Sequence, residues 1–306
     1  MSAPSIGRWS IGLDVGGTKI SGGLVDPRTG QILVRRQVPT GPEQGGARVL
    51  ERVATVASEL ASESLAMGDT VQGVGLGVAE LVDSAGRIRS AQTIDWMEID
   101  VRGALNHIAP VAIDSDVRTA ALAESRFGTG RADWSFVYVT VGTGISSCLV
   151  QNGVPYGGSR GNALVLASAP VTSVCSRCGA SQDTVLENVA SGPALAARYR
   201  DRVGREVVHG QQVFSALDSG DLDAWHVISS AGDALGNAVG WLVNVLDPDA
   251  VVVGGGLGVA GGLYWDRFVA STRAHVWSPA TRELQIVPAG LGSDSGIVGA
   301  ALMAVG

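Results

Sequence analysis

The stretch GLDVGGTKISGGLVD, Gly12–Asp26, sets five glycines among alternating apolar residues around Lys19, the only lysine in the chain. Apolar residues at every second position of WSIGLDV and ISGGLVD predict two β-arms, and GGTK between them predicts a hairpin turn within residues 8–26. Glycines in such a turn let backbone N–H groups approach and point at an anion, and a nearby lysine adds charge. A plain hairpin turn satisfies the same spacing, so the reading depends on what else the chain carries.

Two further glycine loops follow strands. SFVYVTVGTGISSCLV, at 135–150, repeats the opening design of apolar strand, glycine-threonine turn and second apolar strand, and we read it as an internal duplication with one hairpin in each of two lobes. GGGLG at 254–258 follows the strand DAVVV. Three such loops point to a nucleotide, and they nominate Gly16, Gly17, Thr18 and Lys19, then Gly142, Thr143 and Gly144, then Gly255 and Gly256 as ATP and phosphate contacts. The GxxxxGK[ST] spacing is absent, which excludes a P-loop NTPase. GLGVAG, Gly256–Gly261, fits the dinucleotide fingerprint GxGxxG, but no βαβ unit with an acidic residue is visible behind it, and a dehydrogenase is set aside.

Working outward, the pattern alternates helix and strand, the signature of an α/β chain. Val49, Leu50, Val53, Val56, Ala57 and Leu60 recur at helical spacing, VQGVGLGVA returns to a buried strand, and VAIDSDV is a strand before a helix stopped near Gly128. A long striped helix begins at an Asp221 cap and ends before Pro248, and DSGIVGAALMAV closes the chain as a helix capped by Asp294 or Ser295. With 306 residues, two lobes are expected: 1–117 joined by a C-terminal helix at 292–306, and 118–291.

Charge and composition narrow the function. The net charge is −7 and the 21 arginines are scattered rather than striped, which argues against a nucleic-acid partner. No run of about eighteen apolar residues occurs and the N-terminus has no apolar signal core, so neither a membrane partner nor secretion is expected and the location read is cytoplasmic. Cys148, Cys175 and Cys178 are an odd number, which speaks against a disulfide framework.

Acidic residues at strand ends supply chemistry. Asp14, beside the first glycine turn, is placed to hold hydrated Mg²⁺ against phosphates. Asp116, which ends the strand VAIDSD just before a helix, is placed either as general base for a substrate hydroxyl or as a helix cap, and Asp114 shares that ambiguity.

These motifs resemble those of the ROK family (repressor, open reading frame, kinase), ATP-dependent sugar kinases of the actin-like ATPase fold, the duplicated ribonuclease H-like architecture with two lobes. DVGGTK resembles its first phosphate motif and VTVGTGI its second; LDPDAVVVGGGLG resembles its adenosine-side strand and loop, and LGSDSGIVGAALMA its closing helix. VAIDSDVRTAALAE resembles the stretch carrying an Asn-Asp pair, which implies Asp116 as catalytic base, and LENVASGPAL implies Glu187 as a contact to sugar hydroxyls. The resemblance implies transfer of the ATP γ-phosphoryl group to a hydroxyl with Mg²⁺, in a protein that is usually a dimer.

The chain also departs from the family. Where the family has a Gly-Glu-x-Gly-His run, this chain has LVLAS, so Val165 and Ser168 replace a sugar-binding glutamate and a zinc-ligating histidine. Its Asn before the Asp is Ser115, its Pro-Gly is Ala79-Glu80, and its sugar-contacting Asn corresponds to Gln92. Glu80, Gln92, Ser115, Asp116, Arg160, Val165 and Glu187 are therefore the acceptor-side candidates. Of the family's cysteine cluster only Cys175 and Cys178 remain, with His209 the nearby downstream histidine, and no zinc site is expected. The expectation is an alcohol-group kinase acting on a C7-cyclitol of valiolone type or a modified sugar; the alternatives are an ordinary hexose or N-acetylhexosamine kinase and a non-catalytic sugar or nucleotide sensor.

Overall fold

The computed structural model describes residues 7–130, 135–174 and 179–306. In chain order the elements are β1 Trp9–Val15, β2 Lys19–Asp26, β3 Gln31–Pro39, α1 Gly46–Ala66, β4 Val71–Val78, α2 Val101–Leu105, β5 Val111–Ser115 and α3 Asp116–Phe127. They continue with β6 Phe136–Val141, β7 Ile145–Gln151, β8 Val154–Pro155, β9 Pro170–Val174, β10 Ser181–Val185, α4 Glu187–Ala190, α5 Gly192–Val203 and α6 Gly210–Asp218. The last are α7 Leu222–Leu246, β11 Ala250–Gly254, α8 Gly262–His275, β12 Gln285–Pro288 and α9 Ser295–Met303. Two compact units emerge: one from residues up to 133 with 150–163 and 290–306, the other from 134–149 with 164–289. This grouping sets α3 with the first unit, whereas the expected lobe boundary follows residue 117.

The first unit is a mixed sheet of order β3-β2-β1-β4-β5, antiparallel across β1, β2 and β3 and parallel across β1, β4 and β5. The alternation in its central strands gives each face a different job. Ile11, Leu13 and Val15 of β1 join Val74, Leu76 and Val78 of β4 in a buried core with Val49, Val53, Val56 and Leu60 of α1. Gly12 of β1 and Gly75 of β4 point the other way and let α9 lie directly on the sheet: a Cβ at Gly12 would stand 1.9 Å from Ile297 O, and one at Gly75 1.8 Å from Ala300 O. The strands whose apolar residues build one core thus admit, through the glycines between them, a helix backbone on the opposite face.

A buried carboxylate fastens α3 to α9. Glu124 is fully buried; its Oε1 accepts from Leu291 N at 2.9 Å and Ser295 Oγ at 2.8 Å, and its Oε2 accepts from Gly290 N at 2.9 Å and Thr129 N at 3.1 Å. An amide here would oppose one of these donors with an N–H of its own. Glu124→Gln is expected to destabilise the protein by about 2 kcal/mol in urea unfolding, and an unchanged midpoint would mean that the four bonds contribute nothing net.

The second unit centres on the parallel run β12-β11-β6 continued by β7 and β8. Val137, Val139 and Val141 of β6 and Val251 and Val253 of β11 pack with Leu235, Val239, Tyr264 and Phe268 of α7 and α8. Asp221 caps α7 as expected, its Oδ1 accepting from Asp223 N at 2.8 Å and Ala224 N at 3.1 Å. Asp294, one of the two expected caps of α9, stands at the N-cap position but makes no cap bond; its carboxylate instead accepts from Arg35 Nη2 at 2.6 Å. The reading of GLGVAG needs correction, because β11, α8 and β12 do form a strand-helix-strand unit with β12 parallel to β11. β12 is four residues long and half-exposed, too short to show a period in the sequence.

Candidate active site

Each unit carries one glycine hairpin, and each is braced differently. In the first, Gly16 N donates to Lys19 O at 3.1 Å, closing the turn, and Thr40 Oγ1 donates to Gly16 O at 2.6 Å. Gly17 packs on Thr93, whose Cγ2 would lie 2.7 Å from an added Cβ. Thr18 and Lys19 are exposed, and Lys19 makes no ion pair among the described residues. The turn is rigid in its backbone while its cation is left to face solvent.

Asp14, two residues before the turn, is half-buried on the α9 face, where a Cβ at Gly296 would come within 2.7 Å of its Cγ. Burial pushes its carboxyl up to about 6, and the positive charge of Lys19 pulls against that rise. Asp116 opens α3 close by. Burial, then the charge of Asp14, push its carboxyl up to about 7; Glu80 adds to the rise, while the Val117 N–H and Arg118 oppose it. Its Oδ1 accepts from Val117 N at 2.7 Å, a bond to its own neighbour; the N-cap position of α3 is Ser115 and no side chain caps the helix, so the reading of Asp116 as a cap does not hold. Asp114 behaves differently: its Oδ1 accepts from Arg118 Nε at 2.6 Å and Ser115 N at 2.7 Å, which commits it to structure.

The neighbouring candidates divide into anchors and open groups. Glu80 is buried and takes donors on both oxygens, from Thr93 N at 2.6 Å and Ile94 N at 2.7 Å on Oε1, and from Gln92 N at 3.0 Å and the Ser90 hydroxyl on Oε2. It therefore holds the segment carrying Gln92 rather than offering an oxygen to a ligand. Ser115 Oγ is buried without a hydrogen-bond partner among the described residues, the kind of orphan that a bound hydroxyl satisfies. Arg160 is exposed.

In the second unit the turn Gly142–Gly144 is closed by Gly142 N donating to Gly144 O at 2.9 Å and is tied to α5 by Gly192 N donating to Gly142 O at 2.9 Å. Glu187 Oε2 accepts from Ile145 N at 2.7 Å, just past Thr143 and Gly144, while Oε1 makes no bond among the described residues. Gly255, at φ +80, folds the next loop back onto Val141, whose carbonyl accepts from Leu257 N and Gly258 N at 3.0 Å each. An added Cβ at Gly256 would meet nothing within 4 Å, so this loop presents open backbone. Glycine loops with exposed N–H groups and one lysine fit nucleotide phosphates, and a half-buried Asp14 fits a hydrated divalent cation.

The segment 164–168 keeps a backbone that its side chains no longer match. Leu164 sits at φ +56, a conformation glycine adopts freely and leucine at a cost of about 1–3 kcal/mol. Its carbonyl accepts from Ser147 Oγ at 2.8 Å. Val165 follows at 45 % exposure and brings no polar group, while the exposed Ser168 Oγ donates to Val165 O at 2.8 Å. Both line an open groove of about 1260 Å³ with Asn237 and Trp241.

His209 caps α6, and the described residues contain no His/Cys/Asp/Glu group able to hold a metal. Cys175 and Cys178 lie outside the described residues. No helix among the described residues is long and apolar enough to cross a membrane. Sequence reading missed Arg118 and Glu124, both buried. The available signal was a charged residue on the otherwise small and apolar face of RTAALAESRF.

A glycine hairpin in each unit, the half-buried carboxylates of Asp14 and Asp116 at the C-terminal ends of β1 and β5, and a lysine at the first turn fit a nucleotide-dependent phosphotransferase of the actin-like ATPase fold. The chain belongs to the ROK family, whose pattern matches residues 10–306. A glucokinase of Halalkalibacterium halodurans is 28 % identical over 314 residues, covering 95 % of this chain and 93 % of its own. The kanosamine kinase of Amycolatopsis mediterranei is 27 % identical, covering 97 % and 96 %. The structure of a ROK family glucokinase from Streptomyces griseus, in complex with glucose and AMPPNP, superimposes with a TM-score of 0.81 at 27 % identity, covering 97 % of this chain and 99 % of that one. The protein is accordingly an ATP-dependent sugar kinase, a phosphotransferase with an alcohol group as acceptor.

Proposed function

We propose that the acceptor is a carbasugar cyclitol of the C7, valiolone type, or a modified sugar, rather than plain glucose. The observation that carries this is the 164–168 segment: a left-handed turn kept under strain at Leu164, with an apolar Val165 where the family pattern has a sugar-binding glutamate. A site that hydrogen-bonds a hydroxyl discriminates by the cost of leaving that partner unpaired, and an apolar residue removes this discrimination. A ring whose hydroxyl pattern differs from that of glucose does not depend on that contact.

In this reading Asp116 accepts the proton of the attacking hydroxyl, with an affinity near neutral pH that suits a general base. Lys19 and the N–H groups of Gly17 and Thr18 bind phosphate oxygens, as do those of Thr143, Gly144 and Gly256, while Gly16, Gly142 and Gly255 shape the turns that present them. Asp14 would hold a hydrated Mg²⁺, which when bound would supply neutralisation of phosphate charge. Ser115, Gln92, Arg160 and the free oxygen of Glu187 orient the acceptor, and Glu80 keeps Gln92 in place. We place the enzyme in the cytoplasm as a homodimer.

The test is an acceptor panel of glucose, N-acetylmannosamine and valiolone with MgATP, read as phosphorylated product by mass. We expect kcat/KM for valiolone at least about tenfold above that for glucose, the size of one good polar contact. Preference for glucose or N-acetylmannosamine returns the protein to the ordinary hexose and N-acetylhexosamine kinases. Calorimetric ATP binding with no product from any acceptor returns it to the sensors.

A further inference from the structure

Arg118 is a charged side chain in the first turn of α3, two residues past Asp116, and it is 8 % exposed. Its guanidinium donates in three directions: Nε to Asp114 Oδ1 at 2.6 Å, Nη1 to Gly161 O at 2.9 Å, and Nη2 to Val82 O at 2.6 Å. The partners come from three separate segments, namely β5, the loop after β4, and the stretch 157–161. Two carbonyl oxygens and a carboxylate converging on one point repel each other unless a cation sits between them, and only a planar fork of donors reaches all three.

The stretch that Arg118 grips has little else to fix it. Gly157, Gly158 and Gly161 make up most of 157–161, and Gly157 O closes only a local bond, from Ala163 N at 3.2 Å. Beside it opens a hollow of about 450 Å³ bordered by Asp83, Asp114, Arg118, Gly157, Gly158 and Gly161, so packing around the stretch is incomplete on the side where Arg118 reaches it. At Gly161, φ is +80 and an added Cβ would stand 1.9 Å from Val82 O; the two backbones touch through this residue. Arg160, exposed and adjacent, moves with whatever sets Gly161.

We propose that Arg118 is a positioning residue for acceptor binding: by bridging Val82 O, Gly161 O and Asp114 it fixes the 157–161 stretch, and with it Arg160, over the helix turn that begins with Asp116. The proposal rests on the reading of Asp116 as general base and of Arg160 as an acceptor contact. It makes Arg118 act on the acceptor without touching it, through the place it gives to a glycine-rich segment.

Arg118→Met keeps the length of the buried stem and removes every donor. With valiolone and MgATP as probes, KM for valiolone is expected to rise about tenfold, equivalent to one lost charge-assisted hydrogen bond, while KM for MgATP stays within about twofold. Limited trypsinolysis gives a readout independent of the acceptor: cleavage after Arg160, followed by peptide mass, is expected to quicken about tenfold relative to cleavage elsewhere. An unchanged acceptor KM, or both KM values and all cleavage rates shifting together, overturns the proposal, since that is what loss of general stability produces. Should Arg118→Met not fold, Arg118→Lys decides, because an ammonium keeps the charge but serves fewer of the three acceptors at once. An intermediate rise in acceptor KM supports the proposal and wild-type values overturn it. An active Asp116→Asn enzyme brings down the underlying reading; an inactive one beside an unchanged Arg118→Met brings down this inference alone.

Discussion

An Asp116→Asn enzyme is expected to lose phosphoryl transfer by about 10³-fold and at the same time to melt at a higher temperature than wild type at pH 8. The two effects share one cause. Burial and the charge of Asp14 raise the Asp116 carboxyl from 3.8 to about 7 in the folded chain. The folded chain thus holds this proton more tightly than the unfolded one, so the stability it brings is complete below pH about 4 and is lost as pH climbs through 7. Asparagine carries no charge to desolvate and escapes that loss. The gain is expected to be a few degrees at pH 8 and to vanish near pH 4, measured by calorimetry across that range. Wild-type kcat/KM should in turn rise with pH through about 7, because the base works unprotonated. Full activity in the variant would remove Asp116 from the chemistry, and a lower melting temperature at pH 8 would show that its bond to Val117 N outweighs the buried charge.

Gly299→Ala is expected to cost about 3 kcal/mol in urea unfolding, although alanine is the better helix former by about 1 kcal/mol. An added Cβ would stand 1.7 Å from Thr119 O of α3. The helix cannot retreat, since its other side already lies on the sheet with Ile297 O against Gly12 and Ala300 O against Gly75. Any shift also moves Gly296, which abuts Asp14, so activity should fall along with stability. Wild-type stability in this variant would mean that α9 is not seated between sheet and α3 in solution.

The elements that announce themselves in the sequence are those whose pattern is local. The opening hairpin, the second one at Phe136–Gln151, the Asp221-capped helix and the closing helix all stand where alternation, helical spacing and caps put them. β12, four half-exposed residues, has no pattern to read, and α8 was hidden with it. Spacing alone leaves Asp114 and Asp116 open, and in the sequence only the family resemblance separates them, because their physical difference depends on Arg118 reaching one and Asp14 approaching the other across strands. Glu80 illustrates the opposite limit: its position beside Ala79 looks like a place for a ligand, yet it binds backbone N–H groups at residues 92–94 that no spacing rule connects to it.

The seating of α9 also fixes an order of assembly during synthesis. The sheet that carries Asp14 is laid down in the first 115 residues, but its second face is covered by residues 295–303. Until those emerge from the ribosome, Gly12, Gly75 and the apolar side chains around Val25 and Ala123 face water. The second unit has every strand of its β12-β11-β6 core within residues 136–288 and can close before the first. The half of the molecule begun first is therefore closed after the other, and Asp14 acquires its surroundings only once α9 is made.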